Sequence, residues 1–182
     1  MKRIILGLFC LIFSLQLSAQ TYDKYISQAM DAIETDSLAK AEMFFKEALK
    51  LEPANIKNAL LFSNLGTIQR RIGKKKEALE AYSLALNLTP YSITILLNRA
   101  SLYLEMDMLD KAYLDYCNVI DLDAKNKEAL QFRAYVYMRR RQYMEARLDY
   151  QRLLEEEPGN KTARVGIAMV NQKDKRYREA LE

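Results

Sequence analysis

Asn64 and Asn98 stand 34 residues apart in a chain that repeats at that interval. A carboxamide both donates and accepts, so a spaced pair suits the alternating N–H and C=O groups of an extended backbone. The third position of the series is Phe132, and Tyr135 and Met138 follow it at helical spacing. Those three make an expected apolar pocket for one hydrophobic anchor. Thr67 and Ser101 accompany the two asparagines as polar contacts. This is the chemistry of holding a segment of chain. Bond-making chemistry is missing. There is no histidine, which removes the usual general base, the Ser-His-Asp and Cys-His arrangements and most zinc sites. The five glycines are scattered singly, so no glycine-rich phosphate loop exists. Acidic groups such as Asp121/Asp123 and Glu155–Glu157 fall near helix ends and read as solvated surface. The sequence therefore predicts no enzyme activity, no cofactor and no metal.

Helices must position these residues. Ala, Leu, Glu and Lys dominate, while glycine and proline are scarce, a composition of good helix formers. Ala78 recurs as Ala112, Ala146 and Ala180; Tyr82 recurs as Tyr116 and Tyr150. The small residue Gly66 is followed by Ala100, Ala134 and Ala168, and Pro90 is matched by Ala124 and Pro158. A period of 34 residues with small and aromatic residues in constant phase marks a repeat array. Two antiparallel helices approach closely only where a side chain is tiny, and the tyrosine fills the gap beside that slot. Proline sits where the second helix must stop.

Leu65-Gly66, Gly73, Ala78, Tyr82, Ala85-Leu86, Leu88 and Pro90 resemble the consensus of the tetratricopeptide repeat. The resemblance implies an all-α, right-handed superhelical solenoid of helix-turn-helix hairpins whose concave face binds a segment of another protein. Repeats are expected at 22–55, 59–92, 93–126 and 127–160, with a partial fifth at 161–182, in one domain over 22–182. Helices of the third repeat are placed near 93–106 and 109–122. The first repeat lies three residues out of register, so Ile56-Lys57-Asn58 should extend the next helix by about a turn. Thr35-Asp36-Ser37 is the expected turn, with Asp36 or Ser37 capping the second helix. The partial fifth unit ends a few residues into a second helix. Either its first helix caps the array, or the array continues in a longer protein, which the in-phase Tyr177 and Ala180 favour.

In the family the first helix of each hairpin lines the concave face, which assigns Leu60, Ser63, Asn64, Thr67 and Arg71 from the second repeat. The third contributes Thr94, Leu97, Asn98 and Ser101, and the fourth Gln131, Phe132, Tyr135 and Met138. Asn64 and Asn98 resemble a two-rung version of the asparagine ladder in the repeat arm of O-GlcNAc transferase. The two-carboxylate clamp of heat-shock chaperone partners looks absent, because Ile26, Met30, Ser63, Thr67 and Glu128 fall where that family places Lys, Asn and Lys. A protein or peptide partner is thus expected, with a non-catalytic scaffolding role.

Met1–Gln20 reads as a targeting segment. Lys2 and Arg3 precede an apolar run over Ile4–Leu15, and Leu17-Ser18-Ala19 offers a cleavage site, which makes residues 1–19 a signal peptide. The protein is accordingly expected outside the cytoplasm, in the periplasm or cell envelope. The alternatives are an uncleaved leader tethering a structural or adaptor subunit, or a regulatory repeat array of a longer protein, and membrane association is expected only through such a leader. Cys117 is then the sole cysteine, which excludes an intramolecular disulfide. The chain holds 28 basic and 24 acidic residues. Basic turns at Arg70-Arg71, Lys74–Lys76, Arg139–Arg141 and Lys173–Arg178 alternate in part with acidic ones at Glu34/Asp36 and Glu105/Asp107/Asp110. Alternation predicts mutual neutralisation of neighbouring turns, with a basic edge for an acidic partner or lipid headgroups as the second reading and no nucleic acid.

Overall fold

The computed structural model describes residues 19–179, with side chains to residue 175. All of the expected leader but Ala19 lies outside these residues, as does Ala180. Among the described residues there are nine helices and no strand: α1 (19–34), α2 (Leu38–Leu51), α3 (Asn58–Arg71), α4 (Lys75–Leu88), α5 (Ile93–Glu105), α6 (Leu109–Leu122), α7 (Lys127–Arg139), α8 (Tyr143–Glu156) and α9 (Lys161–Glu179). They fall into two compact units, one up to Pro90 and one from Tyr91. No described helix is long and apolar enough to cross a membrane.

In the first unit, Tyr22, Ala29, Ala41, Phe45, Ala48, Leu61, Leu65 and Ile68 form the core. The hairpin of α3 and α4 closes over Gly66, where a Cβ atom would lie 2.9 Å from the Tyr82 ring. In the second unit the corresponding slots hold the fully buried Ala100 and Ala134, opposite the buried Tyr116 and Tyr150. Every methyl at such a slot sets the distance between two helix axes.

The hairpin turns share one device. Asp36, Gly73, Asp107 and Arg141 occupy the same slot and have φ of 53°, 82°, 56° and 61°. Each residue after it returns an N–H across the turn: Ser37 to Ala32 O (2.7 Å), Lys74 to Gln69 O (2.8 Å), Met108 to Tyr103 O (2.8 Å) and Gln142 to Tyr137 O (2.9 Å). This is the Schellman closure of the first helix. It corrects the expected cap at the first turn, where Ser37 makes no side-chain cap bond and Asp36 instead takes the left-handed position. Left-handed backbone is nearly free for glycine, tolerable for aspartate and strained for arginine. Arg141→Gly is therefore expected to stabilise the fold by about 0.5–1 kcal/mol, the relief exceeding glycine's entropic cost. Urea denaturation measures this, and a lower midpoint would show that the Arg141 side chain contributes a stabilising contact of its own.

Two further expectations are corrected. Ile56 and Lys57 form a turn, and α3 starts at Asn58. The extra residues make a loop because the buried Asn58 carboxamide fastens it, donating to Glu52 O (2.7 Å) and Pro53 O (3.2 Å) and accepting from the Tyr22 hydroxyl (3.0 Å). The basic stretch from Lys173 is not a turn either, since α9 runs unbroken to Glu179. Good helix formers fill it, and among the described residues no second helix folds back on α9. Ala168 is consequently exposed, in contrast to Ala100 and Ala134.

Candidate functional site

The first helix of each hairpin is held at a set rotation by what lies beneath it. In the third and fourth hairpins this is a buried ion pair. Arg99 Nε and Nη2 donate to Asp115 Oδ2 and Oδ1, both at 2.8 Å. Arg133 Nε and Nη2 donate to Asp149 Oδ2 and Oδ1 at 2.7 and 2.8 Å. Bonds to the carboxylates outweigh burial and push both guanidinium pKa values up, so both stay charged. The equivalent positions of the second hairpin are the buried Leu65 and Ala81. Sequence reading missed these pairs, although Arg99/Asp115 and Arg133/Asp149 recur together with one spacing of 16. Arg133 Nη1 also lies 3.5 Å from Cys117 Sγ.

The expected binding residues divide between the units. In the first, Asn64 is half-buried on α3, while Thr67 Oγ1 donates to Ser63 O (3.1 Å) and shares a hydrogen bond with the Tyr82 hydroxyl (3.0 Å). Thr67 thus braces the hairpin as well as facing outward. In the second unit, Asn98 and Ser101 are half-buried on α5. Among the described residues neither asparagine side chain is seen in a hydrogen bond, which leaves both carboxamides able to serve an incoming backbone.

Phe132 does not join Tyr135 and Met138. Its ring stacks on Tyr116, with centroids 5.9 Å apart and planes at 15°. A large ring beside an already buried tyrosine finds more contact there than in a solvent-facing pocket. Tyr135 and Met138 do share a cleft of about 360 Å³. Its floor is Tyr143, Tyr150 and Gly166, and Met169 of α9 completes its apolar wall. Gly166 occupies the slot of Phe132 one repeat later. Where Phe132 stacks on Tyr116, Gly166 packs directly on the buried Tyr150, so close that a Cβ would be 2.5 Å from the Tyr150 Cζ. Burial, and then the neighbouring Tyr135, raise the pKa of the Tyr150 phenol, which is therefore neutral. Arg139, Arg141 and Lys173 line the mouth. Arg139 Nη1 donates to the Tyr135 hydroxyl (3.1 Å) and Nη2 to Asp107 Oδ1 (2.8 Å), which fixes the Tyr135 ring in the wall.

Along the turn edge, charge is largely settled between neighbours. Arg71 pairs with Asp36 at 2.9 Å, Arg139 with Asp107, and Arg140 with Asp110. Glu42 of α2 accepts from Lys46 (2.6 Å), Gln69 (3.2 Å) and Lys74 (2.7 Å). The alternation of sign in the sequence is thus the pairing of adjacent hairpins.

Helical hairpins of this period, with the first helices of the third and fourth tied down by equally spaced Arg–Asp pairs and no catalytic cluster among the described residues, define an all-α repeat protein of the solenoid class. The tetratricopeptide repeat family model matches residues 60–92 and 93–126. A crystal structure of a tetratricopeptide repeat protein from Parabacteroides merdae superimposes with a TM-score of 0.84 at 39% identity, covering 88% of this chain and 62% of that one. The first such domain of Spaghetti (RPAP3), bound to an HSP90 peptide SRMEEVD, gives 0.61 at 27% identity, covering 65% of this chain and 94% of that one. The UDP-N-acetylglucosamine–peptide N-acetylglucosaminyltransferase of Giardia intestinalis is 40% identical over 68 residues, 37% of this chain and 5% of that protein. Residues 60–126 thus match the tetratricopeptide repeat and the chain is similar in fold to proteins of that family, while it spans only a small part of that curated relative.

Proposed function

We propose that this chain is a non-catalytic interaction module that holds an extended segment of a partner protein against the first helices of its hairpins. The cleft lined by Tyr135, Met138 and Met169 carries this reading, because it presents converging apolar side chains on that face beside polar groups. The peptide held by the RPAP3 domain supports it at the level of the fold. Selection of a displayed random-peptide library on the full chain tests it. Enriched peptides should compete with one another and lose affinity for Tyr135→Ala/Met169→Ala, while circular dichroism stays unchanged. A library that yields no enriched peptide would overturn the proposal. The reading places the module in the periplasm or cell envelope, on the strength of Lys2, Arg3, the apolar run and Ala19. Intact mass of the protein recovered from the envelope decides between a chain starting at Gln20 and a retained tether.

A further inference from the structure

We propose that the cleft over Gly166 takes one bulky hydrophobic side chain from an acidic segment of another protein, with Arg141 and Lys173 receiving the carboxylates that flank it. This deepens the function proposed above and rests on it. The volume, about 360 Å³, lies at the small end of ligand pockets and suits a single large side chain with its adjoining backbone. Tyr135 and Met169 are 42% and 50% exposed and face one hollow, so their apolar surface is open to a ligand there. Methionine walls adapt to anchors of differing shape. The slot that Phe132 fills in the preceding hairpin is occupied here by glycine, which brings no side chain of its own into the cleft.

Charge selects the flanks. Among the described residues no carboxylate lines the cleft. Asp174, on the same helix as Lys173, is 3.7 Å from Arg147. Arg139 is engaged by Asp107 and Tyr135, so it serves the wall. Among the described residues no ion pair is seen for Arg141 or Lys173. Arg141 stands in the left-handed slot that its sister turns give to Asp36, Gly73 and Asp107. The fold thus keeps a strained cation where glycine would be easier, at the mouth of a largely apolar cleft. A pair of cations around one hollow favours an acidic peptide and repels a basic one. A nucleic acid would call for a longer basic track.

Fluorescence anisotropy tests this with three dye-labelled dodecapeptides and the full chain. One carries a central tryptophan flanked by Asp and Glu, the second replaces the tryptophan with alanine, and the third flanks the tryptophan with Lys. The first should bind about tenfold more tightly than either of the others, since a buried aromatic anchor and its charged surround each carry effects of that order. Arg141→Glu/Lys173→Glu should weaken the acidic peptide about tenfold and strengthen the Lys-flanked one, a reversal that misfolding does not produce. Arg141→Gly should weaken it too, although the unfolding midpoint does not fall. Equal binding of the three peptides, or acidic-peptide affinity unchanged in the double variant, overturns the assignment. So does tighter binding of anionic vesicles or of an oligonucleotide with the same dependence on Arg141 and Lys173. Library peptides that bind well but ignore these residues would overturn this inference alone, whereas an empty library selection removes the function on which it rests.

Discussion

Asp149→Ala is expected to destabilise the second unit by about 3–5 kcal/mol, read as a lower urea midpoint with the cooperative slope retained. The Arg133 side chain is only 14% exposed and its two Asp149 bonds are 2.7 and 2.8 Å. Truncating the carboxylate leaves a guanidinium with little water and no counter-charge. Its ring neighbour, Tyr137 at 5.7 Å, compensates only weakly. Replacing both partners is a different matter. The second hairpin already runs the same slots as Leu65 and Ala81, both buried, so Arg133→Leu/Asp149→Ala should return to within about 1 kcal/mol of the parent. The coupling between the two positions would then be large and favourable to the double variant. Additive single effects would mean that water reaches the pair and that it is not what sets the rotation of α7.

How far the sequence reaches is clear from these same positions. The hairpins were legible because small and aromatic residues repeat in phase, and phase survives substitution: Gly66 becomes Ala100 without changing what the slot does. The Arg–Asp pairs repeat equally well, but a charged residue in sequence carries no mark of burial, and nothing in the sequence singled out Arg99 or Arg133. The cleft was half legible. Tyr135 and Met138 face it as expected, while Phe132 is drawn to Tyr116, a preference decided between repeats and not within one. Gly166 was passed over as an isolated glycine. Its meaning depends on the ring below it, which only the packed structure supplies. The turn edge shows the reverse case. Its alternating charges pointed to neutralisation, and Arg71–Asp36 and Arg139–Asp107 realise it. Single deviations from the repeat, Arg141 in a left-handed slot and Gly166 where the preceding hairpin has Phe132, are where the candidate site lies.

Acid should weaken the first unit through Glu42. Burial acts to raise its carboxyl pKa, but hydrogen bonds from Lys46, Lys74 and Gln69 more than offset that and hold it at about 2. In the unfolded chain a glutamate titrates near 4.3. Between those values the unfolded state binds a proton that the folded state does not. The stabilisation is therefore complete above about pH 5, falls as pH drops and is gone once pH passes below about 2. Its size is of order 3 kcal/mol for one carboxylate. Glu42→Gln removes the titration and should cost roughly 2–3 kcal/mol at pH 7. Lys46 and Lys74 are about half exposed, so water solvates them once the carboxylate is gone. The remaining carboxylates are common to both proteins, so the difference between the two stability curves isolates this group. That difference should shrink steadily from pH 5 to pH 2. Parallel curves across the window would show that Glu42 is solvated in the folded chain and that the bridge from α2 to Lys74 does not hold the first two hairpins together.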